Sequence, residues 1–140
     1  MKKIIFLIII LAVIGASAYF ALFNKSGNDK NAIALQPQIN EEGGVSAEVA
    51  PTGFELSNPQ FKITFTAHQG DLNFDLTKNA VLIDDKNNQY KPISWTGGSG
   101  GHHLAGQLIF PAIAKNIKTI ELVIKDVYGV KERKFFWDLK

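Results

Sequence analysis

The chain contains no cysteine. That excludes disulfides, thiolate metal sites and cysteine nucleophiles, and it removes a lipid-modified cysteine as an anchor. The redox compartment is left undetermined. No sign of charge dominates either. Lys and Arg number 15, Asp and Glu 13, and the formal net charge is +2, with the basic residues scattered along the chain. There is therefore no electrostatic case for nucleic acid. Beyond an apolar N-terminal run, no stretch keeps a helical period; only Ala112 to Asn116 has the composition for a single turn. Histidine is scarce, with three in 140 residues.

The length suits one domain plus appendages. Lys2 and Lys3 precede an almost unbroken apolar run from Ile4 to Phe23. As a helix rising about 1.5 Å per residue, that run spans roughly 30 Å, the thickness of a bilayer's hydrocarbon core. Basic residues ahead of it favour a cytoplasmic N-terminus and an exported remainder, giving a single-pass protein of the cell membrane. Ala16-Ser17-Ala18 also fits a signal-peptide cleavage site, but the apolar run continues through Tyr19, Phe20, Leu22 and Phe23, which favours a retained anchor.

Residues 24–51 read as a linker, with Gly, Asn, Ser, Pro and Gln and no sustained period. A flexible chain of that length has an r.m.s. span of roughly 30 Å. Residues 52–140 read as the globular domain, large enough for one small core. Its pattern is β. Phe61, Ile63 and Phe65 alternate with Lys62, Thr64 and Thr66. Ala80 to Asp84, the turn cluster Asp84-Asp85-Lys86-Asn87-Asn88, and Gln89 to Trp95 predict a hairpin. Gly106 to Phe110 is a strand stopped by Pro111. Ile120, Leu122 and Ile124 lead through a turn at Val127 to Val130 into Phe135, Trp137 and Leu139. With Phe54 to Ser57 as the first, the count is seven strands. Seven short strands predict an all-β fold, an immunoglobulin-like β-sandwich, with a closed barrel as the alternative.

Parity then places the histidines. If consecutive strands run antiparallel, the loops after the second, fourth and sixth share one end. Those loops carry His68, Asp71, His102, His103 and Asp126, with Asp75 just beyond. The start of the first strand falls at the same end, which predicts that the tether enters there. Imidazole is the commonest transition-metal ligand. His68, His102 and His103, with Asp71 or Asp75, therefore make a candidate site for Cu²⁺ or Zn²⁺. Neighbouring side chains on a regular strand face opposite ways, so His102 and His103 need help from the glycines of Gly97-Gly98-Ser99-Gly100-Gly101 to face one ion. The blander alternative is a hairpin loop with solvated histidines. Protons compete with metal for imidazole, so affinity through histidine falls below about pH 6.

Other chemistries fare worse. A blue-copper site needs the missing thiolate. Asp71, Asn73 and Asp75 lack the glycine and the twelfth-position Glu of a calcium loop. The glycine loop lacks the Gly-Lys-Ser/Thr of a phosphate loop. Ser99 lacks the strand-turn-helix of a nucleophile elbow, so no enzyme is predicted. Trp95 and Trp137 are read as packing residues and Asp84 to Asn88 as turn chemistry.

The stretches Thr66-Ala67-His68-Gln69-Gly70-Asp71-Leu72 and Trp95-Thr96-Gly97 with Gly101-His102-His103-Leu104-Ala105-Gly106-Gln107-Leu108-Ile109-Phe110 resemble a group of uncharacterised exported bacterial and archaeal domains. The hairpin from Leu82 to Tyr90 is similar to that of exported immunoglobulin-like lipoprotein domains. The resemblance spans residues 61–110, implies an exported β-domain, and supplies no mechanism. The expectation is a membrane-tethered extracytoplasmic binding domain that takes a divalent transition metal. The alternative is a protein-interaction module of an envelope complex with no metal site; pH sensing by the same histidines is a third.

Overall fold

Period-two alternation sets nearly every element of the fold. The computed structural model describes residues 34–139, and the anchor expected over residues 4–23 lies outside them. Two strands come first, β1 (Gln38–Glu42) and β2 (Val45–Pro51), joined by a turn at Gly43 and Gly44. Val45, Ala47 and Val49 are buried, while Glu48 is exposed between them. After them come β3 (Gln60–Ala67), one helical turn α1 (Leu76–Asn79), β4 (Ala80–Asp84), β5 (Gln89–Tyr90), β6 (Ser94–Trp95), β7 (His103–Ile109), β8 (Thr119–Val127) and β9 (Val130–Asp138).

The strands form two antiparallel sheets, ordered β1-β2-β3-β7-β6 and β5-β4-β8-β9. An all-β, sandwich-like architecture is thus present. Phe61 sits at the aromatic centre of the core. Its ring lies 5.4 Å from Trp137, 5.8 Å from Phe54 and 5.8 Å, edge-on, from Phe110. Burying a side chain of this size contributes about 1.5–3 kcal/mol.

Several expectations are corrected. Residues 38–51 are not linker. They form a β-hairpin whose inner face belongs to the core, because the Val45, Ala47, Val49 alternation buries one side. Phe54 to Ser57 is not a regular strand; Phe54 makes only an isolated bridge, although its ring is buried. The stretch from Gln89 to Trp95 splits into β5 and β6, which join different sheets; Pro92, lacking a donor, lies at the break. Ala112 to Asn116 is not helical. The helical turn is α1 instead, started by Asp75, which accepts from Thr77 N at 3.0 Å as a favoured N-cap does. The strands described number nine, not seven.

The added hairpin also changes where the chain enters. β1 runs toward the loops that hold the histidines, so the segment before it lies at the opposite pole. There Leu35 packs against the core and Trp137 Nε1 donates to Gln36 O at 2.7 Å. The expectation that the chain enters beside the histidines is overturned.

Candidate functional site

Two loops lace together at the histidine pole. β3 and β7 are antiparallel neighbours with Thr66 opposite His103. The ladder continues beyond the strands. Ala67 N donates to His102 O at 2.8 Å, Leu72 N to Gly101 O at 3.0 Å, and Gly100 N to Leu72 O at 2.7 Å. Gly100 and Gly101 have φ of 93° and 84°, a region that only glycine enters at low cost. The carboxylate of Asp71 accepts from Gly101 N. A third loop joins them, because the half-buried Tyr128, in the β8–β9 turn, donates through its hydroxyl to Gln69 O. The glycine-rich stretch is pinned, not a free hairpin tip.

His103 lies on the outer face of its sheet, with Nδ1 3.2 Å from Thr66 Oγ1. Alternation carries that face from Thr66 to His68. His68 lines a shallow depression with Glu41, Ser46 and the Gly43–Gly44 turn, and Ser46 is the register partner of Thr66. His68, just beyond the end of β3, and His103, at the start of β7, thus lie at the same end of the sheet and on its outer face. Glu41, opposite Ser46 on β1, faces the same row. His102 immediately precedes β7, one position out of step with His103, and is exposed.

The two carboxylates predicted to join the histidines have other partners. Asp71 clips the glycine loop. Asp75 caps α1 through Thr77 N and Thr77 Oγ1, and those hydrogen bonds, helped by Lys78, hold its pKa below the ordinary carboxylate value. Asp126 is exposed at φ 52°. Among the described residues, no group of three or more His, Cys, Asp or Glu side chains is placed to hold a metal ion.

Glycine spacing around Trp95 has a packing cause. A Cβ on Gly106 would lie 2.5 Å from Gly97 Cα and 3.0 Å from Trp95 Cη2, and closer still to Gly97 N. Gly97 itself lies against the indole. The Trp95-Thr96-Gly97 and Gly106 pattern thus lets the loop fold tightly over the ring. The turn cluster is likewise structural. Buried Asp84 accepts from Lys86 N, Asn88 N, Asn88 Nδ2 and the Tyr90 hydroxyl, each within 2.8–2.9 Å. Burial alone pushes its pKa up, but the bonds from Asn88, Tyr90 and Lys86 outweigh it and hold the carboxyl below its ordinary value.

Sequence reasoning missed two things near the site. Glu41 and Ser46 lay in the stretch read as linker. Arg133, which no sequence signal singled out, is fully buried. Its guanidinium donates to Asn40 Oδ1, Glu42 O and Val45 O, tying the β1–β2 hairpin to β9. Burial lowers its pKa, partly countered by the charge of Glu42.

No protein-family model, curated protein or solved structure matches this chain.

Proposed function

We propose that this chain is a membrane-tethered, extracytoplasmic binding domain, and that His68 and His103 are ligands of an open site for a divalent transition metal, copper or zinc. The observation that carries the reading is the lacing of the two histidine loops, which sets both residues on one sheet face. A pair of imidazoles leaves the remaining coordination positions to water or to a donor brought by a partner. Asp71 and Asp75 serve the loops instead, and His102 falls off the shared face. The reading involves no catalysis. The apolar run after Lys2 and Lys3 supports the tether. The order β2-β3-β7-β6 against β5-β4-β8-β9 supports an immunoglobulin-type sandwich, with β1 added outside.

Titration calorimetry of Zn²⁺ and Cu²⁺ into the full chain in lipid nanodiscs tests this. One equivalent is expected to bind, with affinity falling more than about tenfold, 1.4 kcal/mol, in His68→Ala and in His103→Ala. His102→Ala is expected to bind like the parent. Binding that survives in the His68→Ala/His103→Ala double variant, or its absence in the parent, overturns the metal reading.

The absence of a ready-made three-donor group among the described residues favours a second reading, a protein-interaction module of an envelope complex. Its exposed apolar anchors would be Ile39 and Phe136, which flank the seam where Gln38 bonds the backbone of Phe136. Failure of the metal titration moves the weight to this reading.

A further inference from the structure

A second concavity opens beside the glycine loop, between the segment from Asn73 to Thr77 and the segment from Gly97 to Ser99. It shares none of its lining residues with the histidine depression. Half-buried Phe74 and Trp95 contribute two aromatic rings to it. Phe74 is fixed edge-on to Phe65, with centroids 4.9 Å apart, and Trp95 is held by the close approach of Gly97 and Gly106. Rings immobilised by the core lose little further freedom when a ligand stacks on them.

Polar groups surround those rings. Exposed Asn73 carries two donors and an acceptor in its amide, and exposed Ser99 carries a hydroxyl. Asp75 spends Oδ1 on Thr77, while Oδ2 has only Lys78 Nζ at 3.7 Å. That ion pair is exposed, so Oδ2 remains open to a hydroxyl donor, and the paired charges leave no net cation in the wall to select an anion. Trp95 Nε1 is buried and has no hydrogen-bond partner, and the neighbouring ring carbon Cε2 lies against Gly97 of the cleft wall. Buried donors are seldom left without an acceptor.

Flat rings with a rim of mixed donors and acceptors, one carboxylate that accepts and no cation fit a polyhydroxylated ring. A sugar ring presents an apolar C–H face, and each of its hydroxyls both donates and accepts. A phosphate or carboxylate ligand would call for a cation that this wall does not supply. We propose that the cleft between residues 73–77 and 97–99 binds a neutral saccharide unit, stacked on the Trp95 and Phe74 rings and hydrogen-bonded by Asn73, Asp75 and Ser99. This site is independent of the histidine face.

The test is ¹H–¹⁵N NMR of the full chain in nanodiscs with millimolar maltotriose, cellotriose or chitotriose. At least one of them is expected to shift amides of residues 73–77 and 95–99 together with the Trp95 indole N–H. Gly98→Val provides the blocking variant. A Cβ at Gly98 meets nothing within 4 Å, so the fold is kept while the side chain fills the opening. It is expected to weaken binding more than about tenfold without moving the melting temperature, and exposed Asn73→Ala serves as a second variant. No shift with any of the three sugars, shifts confined to other surfaces, or shifts unchanged in both variants would overturn the proposal. Retained metal binding in Gly98→Val separates this result from the histidine site.

Discussion

Gly106→Ala measures how tightly the glycine loop is folded over Trp95. Adding one methyl to a glycine whose backbone angles suit alanine stabilises a protein by about 0.4–1 kcal/mol through the unfolded chain. Gly106 lies in β7 with no positive φ, so that gain applies. Against it stands the new Cβ, 2.5 Å from Gly97 Cα and 3.0 Å from Trp95 Cη2. The first of these is backbone, held by the bond from Thr96 N to Gln107 O at 3.0 Å and the bond from Gln107 N to Thr96 Oγ1 at 2.8 Å. Such overpacking costs about 1–3 kcal/mol. The steric cost wins, and the net expectation is a loss of about 1–2 kcal/mol, which lowers the melting temperature by several degrees. Gly98→Ala is the internal control. Its Cβ has no neighbour within 4 Å and its φ is not positive, so stability is expected to be unchanged or slightly raised. Urea unfolding of the two variants beside the parent decides the matter. A Gly106→Ala domain as stable as Gly98→Ala would refute the claim that the loop is packed on that strand.

Four other outcomes follow from the packing. Asp84 has its pKa depressed in the folded state, so its contribution is present above the ordinary carboxylate value of about 3.9 and is lost as pH falls through the folded value; urea midpoints between about pH 6 and pH 2 should show this acid decline, and Asp84→Asn should flatten it. Asp84→Ala at neutral pH leaves four donors without their acceptor and is expected to cost about 3 kcal/mol. Tyr128→Phe removes the bond to Gln69 O and is expected to cost about 1 kcal/mol, with faster amide exchange confined to residues 68–72. Arg133→Ala removes the bonds to Asn40 Oδ1, Glu42 O and Val45 O and opens a cavity between the sheets, so a loss of about 3 kcal/mol and rapid exchange in the β1–β2 hairpin are expected.

Strands whose alternation is long were legible from residues alone. Phe61, Ile63 and Phe65 in β3 and Ile120, Leu122 and Ile124 in β8 each show one buried face. The β4–β5 hairpin was legible from Asp84-Asp85-Lys86-Asn87-Asn88, since the acceptor that closes the turn is in the sequence. The β1–β2 hairpin was not read, although Val45, Ala47 and Val49 carry the same alternation. The polar strand Gln38–Glu42 contributes no apolar face of its own. It is held by Arg133 and Gln38, contacts between residues more than 90 positions apart in sequence. The histidine loops were placed at one end by counting strands, and they do share an end, although the count itself was wrong. What counting missed is that β3 and β7 are direct neighbours, which is why His68 and His103 share a face. The commitment of Asp71 and Asp75 to backbone N–H groups was hidden for the same reason. A carboxylate's partner is set by where the loop lies, and composition does not give that.

The most direct test of the binding account is the electron paramagnetic resonance spectrum of the full chain carrying one equivalent of Cu²⁺. Nitrogen hyperfine structure counts the imidazoles on the metal. The account predicts two, with one remaining in His68→Ala, one in His103→Ala and two in His102→Ala. A spectrum with no nitrogen coupling, or one unchanged when His68 and His103 are both replaced, would contradict it.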